Sequence, residues 1–302
     1  MSGIESVKDL VKPPFANYDI VVYFGCGLFS LPFIVHYTGG LRANTTSFNF
    51  GIEPQFVSTL VTTLTVLFSV YILGHIIAYV GSQLIEKLMD SFFGKASTIV
   101  ILGTKIRNTS LTQVIRGQLK SNVIKNFSRA TWLSSSIRCL THLPALPSYF
   151  GILVLGFFGF YRTRLSREVL AAASAKLSNI PVLAIEIRVD TVWFKPLEAI
   201  VMNNNPSATA RMYNYLVISG LFRSICTILL ASLWFEMVYV LLRISGHDAP
   251  QGLFMLGNSN IPFQLFSYAA ISLVYLFSLF SYLKFQRRYV EDAIFAFVFA
   301  KG

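Results

Sequence analysis

Residues 54–85 read PQFVSTLVTTLTVLFSVYILGHIIAYVGSQLI and contain no Asp, Glu, Lys or Arg. About 20 apolar residues in a helix cross the hydrocarbon core of a bilayer, and this stretch exceeds that length. No water is present at that depth to satisfy a peptide group, so a charge-free run of this kind is stable there as a helix. The run sets the expected fold class as all-α and polytopic.

Working outward, 20–41, 139–161 and 249–283 are also free of charge, and 212–242 is broken only by Arg223 and Glu236. Four of these five runs predict transmembrane helices, at about 20–39, 56–80, 212–242 and 261–283. The composition agrees, with 54% hydrophobic residues against 13% charged. Soluble domains carry about a quarter charged residues, which argues against an ordinary cytosolic enzyme. The 27 Phe and 14 Tyr argue against disorder. The 302 residues are therefore expected to form a single membrane domain over 1–302. Its first run begins near Ile20 after a polar lead of mixed charge, and it reads as a retained anchor rather than a cleaved signal.

The run 139–161 differs from the others. It opens with His142, Pro144 and Pro147 and carries Gly151, Gly156 and Gly159, leaving only 149–161 densely apolar. The distribution of Lys and Arg decides how to thread it. If 139–161 crosses the membrane, the two sides receive equal numbers of cations; if it dips in and returns, the division is 22 to 2. Cations are retained on the cytoplasmic side, so the second threading is preferred. The expectation is four spans plus one re-entrant or interfacial segment, with both termini cytoplasmic. A bacterial inner membrane is the expected location.

The part between the second and third spans, about 83–211, is expected to form membrane-proximal cytoplasmic helices. Leu111, Ile115, Leu119, Val123 and Phe127 recur every fourth position, and Leu170, Ala173 and Leu177 mark a second helix over 166–178. Asn203-Asn204-Asn205-Pro206-Ser207 predicts a break, with Ser207 as the N-cap of the helix that becomes the third span. After Lys284 the last helix continues with amphipathic character.

Three groups of residues are candidates for chemistry. His75, Tyr79, Ser82 and Glu86 fall at i, i+4, i+7 and i+11 of one helix, so they share a face and suit an ion path or an acid–base pair. The same residues also suit interhelical hydrogen bonding. Arg223 lies about eleven residues into the third span, where an Arg costs about 2.5–3.5 kcal/mol and needs a shielded partner. Glu236 is roughly 20 Å farther along the same axis, so the two charges do not pair within one helix. A partner for Arg223 on another helix, such as His75, or a phosphate group is expected instead.

The third group is basic. No acidic residue occurs between Ser91 and Arg167, while Lys105, Arg107, Arg116, Lys120, Lys125, Arg129 and Arg138 crowd the middle of that window. Such a surface attracts anionic lipid at about 1 kcal/mol per cation. It suits lipid or a cytoplasmic protein better than nucleic acid, since stacking aromatics are sparse, with Phe127 and Trp132 the main ones.

Cys26, Cys139 and Cys226 form no disulfide framework, and the C-x-x-H of Cys139 and His142 lacks a second ligand pair. No metal or cofactor is expected. Phosphate-loop, dinucleotide, zinc-protease and nucleophile-elbow motifs do not occur. The leading expectation is a non-enzymatic membrane subunit, channel-like or sensor/effector, that forms a homo-oligomer; membrane effectors of phage defence share such an architecture. An anion transporter built around Arg223 is the alternative, and a lipid-modifying enzyme using His75 and Glu86 comes third.

Overall fold

A computed structural model describes residues 18–37, 55–102, 147–149, 151, 154, 164–180, 193–247, 253 and 261–299. Among the described residues every regular element is helical. A π-helical turn, Asp19–Phe24, runs into α1, Gly25–Tyr37. Then come α2 (Gln55–Gly81), a π-helical turn at Ser82–Glu86, α3 (Lys87–Phe93) and α4 (Ala96–Leu102). Beyond these lie α5 (Arg167–Ser178), α6 (Phe194–Asn204), α7 (Pro206–Ile244) and α8 (Ile261–Phe299).

Four helical stretches are long and apolar enough to cross a membrane: Asp19–Tyr37, Thr59–Asp90, Pro206–Ile244 and Leu265–Phe299. They correspond to the four runs read from the sequence. Most of the expected segment 139–161, the expected helix around 111–127, and all seven cations from Lys105 to Arg138 lie outside the described residues.

The chain divides into two compact units. The first comprises residues 1–83 and 220–278, and the second 84–219 and 279–302. In the first unit α1 and α2 pack closely, and two glycines set the distance. A Cβ on Gly74 would stand 1.8 Å from the Tyr23 carbonyl oxygen, and one on Gly27 would stand 2.0 Å from that of Val70. Small residues that let backbones approach replace the hydrophobic drive that helices lack in lipid. Much of α2 nevertheless remains uncovered by the chain, with Leu64, Phe68, Ile76 and Tyr79 all exposed.

The second unit has an apolar core of its own, built from five helices. Val100 and Ile101 of α4 meet Leu170, Ala173 and Leu177 of α5, and Leu197 and Val201 of α6 join them. Ala208 and Met212 of α7 and Val290, Ala293, Ile294 and Phe297 of α8 complete it. The backbone N–H of Leu165 donates to Val100 O at 3.1 Å, tying the entry to α5 to the end of α4. Lys176 Nζ donates to the Phe297 carbonyl at 2.9 Å, satisfying an oxygen in the last turn of α8.

The break at 203–207 is where expected, but its cap is not. Asn205 Oδ1 accepts from Ala208 N at 3.1 Å and from Ser207 Oγ at 3.0 Å, so Asn205 caps α7 and Pro206 occupies its first turn. Proline is suited to that position because its missing N–H would have no helical partner there. Ser207 serves as a donor to the cap rather than as the cap itself.

Candidate functional site

The polar groups of the first unit fall into two clusters. The first surrounds Tyr23, just ahead of α1. The His75 ring stacks on Tyr23 with centroids 3.7 Å apart, and Tyr71 meets His75 edge-on at 4.6 Å. Tyr18 meets Tyr23 edge-on at 5.4 Å. Arg223, Asp19 and Tyr71 act electrostatically on the Tyr23 hydroxyl. Arg223 itself is half-buried, and its Cγ would lie 3.5 Å from a Cβ on Gly81. The charge thus enters an aromatic and hydroxyl-bearing setting supplied by α2, α7 and the turn that leads into α1.

His75 shares this cluster with Arg223 through Tyr23. Tyr79 does not join it, being 68% exposed on the outer side of α2. Ser82 Oγ donates back to the Tyr79 carbonyl at 2.7 Å. The spacing that would align the four residues is interrupted at Ser82–Glu86, where the π-helical turn replaces i→i+4 bonds by i→i+5 bonds. Glu86 belongs to the second unit.

The second cluster centres on Glu236, which has 0% exposure. Its Oε1 accepts from Tyr37 Oη at 3.0 Å and from Leu253 N at 2.8 Å. Tyr37 also stacks on Phe235 at 4.7 Å and leans on Tyr239 at 6.0 Å. A carboxylate at the far end of α7 therefore fastens the end of α1 and the backbone ahead of α8. Between the two clusters runs a nearly apolar groove of about 260 Å³, lined by α1, α2 and α7. The hydroxyls of its three small polar residues are turned to their own helices: Ser30 donates to Gly27 O, Thr227 to Arg223 O and Ser232 to Ile228 O.

The second unit holds a different cavity, of about 300 Å³, where polar and aromatic groups meet. Glu86 and Asp90 come from the π-turn and α3, Lys95 from just ahead of α4, Lys195 and Glu198 from α6, Tyr215 from α7 and Tyr289 from α8. Glu198 is fully engaged, accepting from Tyr289 Oη on one oxygen and from Lys195 Nζ at 2.8 Å on the other. In the same unit Arg211 Nε pairs with Asp292 at 3.0 Å, joining α7 to α8.

Of the cavity residues only Glu86 stands out in the sequence. Asp90, Glu198 and Tyr289 lie in three separate helices and share no local spacing that would flag them together. Tyr23 and Tyr37 are similarly unmarked among 14 tyrosines. Compared with protein-family models, curated proteins and solved structures, the chain matches none.

Proposed function

We propose that this chain is a non-enzymatic integral membrane subunit, a channel-like or sensor/effector component. In this reading it assembles with further copies and recruits a cytoplasmic or anionic partner. It sits in a bacterial plasma membrane with both termini and the second unit on the cytoplasmic side.

One observation carries the reading. Helices α7 and α8 are each 39 residues long, roughly 58 Å, nearly twice the hydrocarbon thickness. Each is therefore long enough to span a bilayer and still contribute residues to the packed core of the second unit. An event at that core is covalently continuous with two spans. The exposed face of α2 supports assembly, because it carries Thr63, Thr65 and Ser69, and small polar residues are enriched where membrane helices meet.

Reconstitution into proteoliposomes tests this. Ion flux without saturation by solute, from a chain that runs as an oligomer in native mass spectrometry, is expected. A strict monomer without flux would overturn it. The half-buried Arg223 favours the second reading, transport of an anionic solute. Saturable anion uptake that disappears in Arg223→Gln would establish that reading instead.

A further inference from the structure

We propose that the groove between α1, α2 and α7 holds one acyl chain of an anionic phospholipid, with the lipid phosphate at Arg223. The site goes beyond the membrane-subunit reading and rests on one part of it, that the first unit lies in the bilayer.

The chemistry of the groove points to a hydrocarbon chain. Four of its lining residues carry hydroxyls, and each hydroxyl is already engaged: Ser30, Thr227 and Ser232 on their own helices and Tyr37 on Glu236. The rest of the wall is aliphatic or aromatic, with Phe33, Leu73, Ile77 and Ile228 prominent. All three walls belong to helical stretches long and apolar enough to span a membrane, so lipid stands at the mouth.

The shape fits a single chain. At one end α2 and α7 approach so closely that a Cβ on Gly81 would lie 2.6 Å from Thr227 Oγ1. At the other end Tyr37 stacks on Phe235. From Arg223 to Phe235 the helix rises about 18 Å, comparable with the roughly 15 Å of hydrocarbon in one leaflet. The volume of about 260 Å³ is less than one turn of a helix with its side chains, roughly 400 Å³, so a helix of a second copy does not fit.

Charge selects the lipid. A chain entering the groove exchanges one hydrocarbon setting for another, so the hydrophobic effect adds little and the headgroup must discriminate. Arg223 stands one helical turn before Thr227, and its Cγ would lie 3.5 Å from a Cβ on Gly81, the neighbour of Val80 in the groove wall. The first unit's share of α7 begins at Gly220, which puts Arg223 within one turn of the end of that stretch, at headgroup depth. A guanidinium carries five N–H donors, so Arg223 takes a phosphate alongside the contacts it makes within the chain.

The test reconstitutes the full-length chain in vesicles of equal phosphatidylglycerol and phosphatidylcholine, then extracts it into mild detergent for native mass spectrometry. One phosphatidylglycerol retained per chain is expected, favoured over phosphatidylcholine about fivefold or more, the value of one cation near anionic headgroups. Arg223→Gln should remove that preference. Ala231→Phe should abolish retention, since Ala231 is an exposed groove residue and the added ring fills the space the chain would take. If these variants do not fold, phosphatidylglycerol with a diazirine in its acyl chain decides the matter on the parent. Photolysis should label Ile77, Ile228 and Ala231 in preference to Leu64 and Phe68 on the open face of α2. Even labelling of the two sets, equal retention of the two lipids, or undiminished retention in folded Ala231→Phe would each overturn the proposal. A chain that floats with the vesicles but retains no lipid would overturn this site alone, whereas one that does not float would overturn the membrane reading with it.

Discussion

Glu236 holds two donors on one oxygen, so its variants should separate the value of a bond from the cost of leaving donors unmet. Tyr37→Phe removes one donor and should lower stability by about 0.6 kcal/mol, the average for a hydrogen bond between membrane helices. Glu236→Leu strands both Tyr37 Oη and Leu253 N, at about 1–3 kcal/mol for each buried group left unsatisfied. Unfolding followed in mixed micelles should show the larger loss for Glu236→Leu; equal losses would contradict the proposed role of Leu253 N. The cost of Arg223 and Glu236 is legible in the sequence, because a charge interrupts an otherwise apolar run. Their surroundings are not. Tyr37 and Glu236 are 199 positions apart, and nothing local to either names the other. The same holds for Tyr23 and His75, whose stacking depends on how closely α1 and α2 approach.

That approach is a property of the elements, and Gly74 sets it. Gly74→Ala places a methyl 1.8 Å from a backbone oxygen, which no rotamer can avoid. The helices must part, and the Tyr23–His75 stack must open with them. The expected result is a marked loss of resistance to detergent unfolding, whereas Ala78→Gly, on the same helix, adds no atom and should cost about 1 kcal/mol or less. Similar behaviour of the two variants would contradict this account of α1–α2 packing.

At α7, Asn205→Ala should cost about 1 kcal/mol by removing the cap, and Ser207→Ala a smaller amount; thermal unfolding of the two variants checks the order. The apolar runs and the Leu170, Ala173, Leu177 stripe are legible because each keeps a period within one segment. The α6 helix, Phe194–Asn204, is less so, since Lys195, Pro196 and Glu198 fill its first turns and its stripe of Phe194, Leu197 and Val201 is short. Proline in the first turn of a helix costs little, which explains why the segment is helical despite it.

At the scale of the whole molecule, the division of 22 cations against 2 predicts a single threading. The termini, 81–138 and 162–211 are expected on the cytoplasmic side, and 40–54 and 243–260 outside. Retention of Lys and Arg is strongest in short loops near span ends and weakens in long ones, so the long basic segment needs a direct probe. A single cysteine, introduced after Cys26, Cys139 and Cys226 are replaced, supplies one. Position matters: Ser174 is only 6% exposed and would react poorly from either side, whereas Ala172 is on the exposed face of α5. Ala172→Cys should resist a membrane-impermeant maleimide added to intact cells and react after the membrane is opened. Thr46→Cys, in the first outer loop, should react in intact cells. Labelling of Ala172→Cys from outside would overturn the threading and remove the case for a re-entrant 139–161. That case rests on the cation count, since a third full crossing ahead of residue 162 would place 162–211 on the opposite side from 81–138.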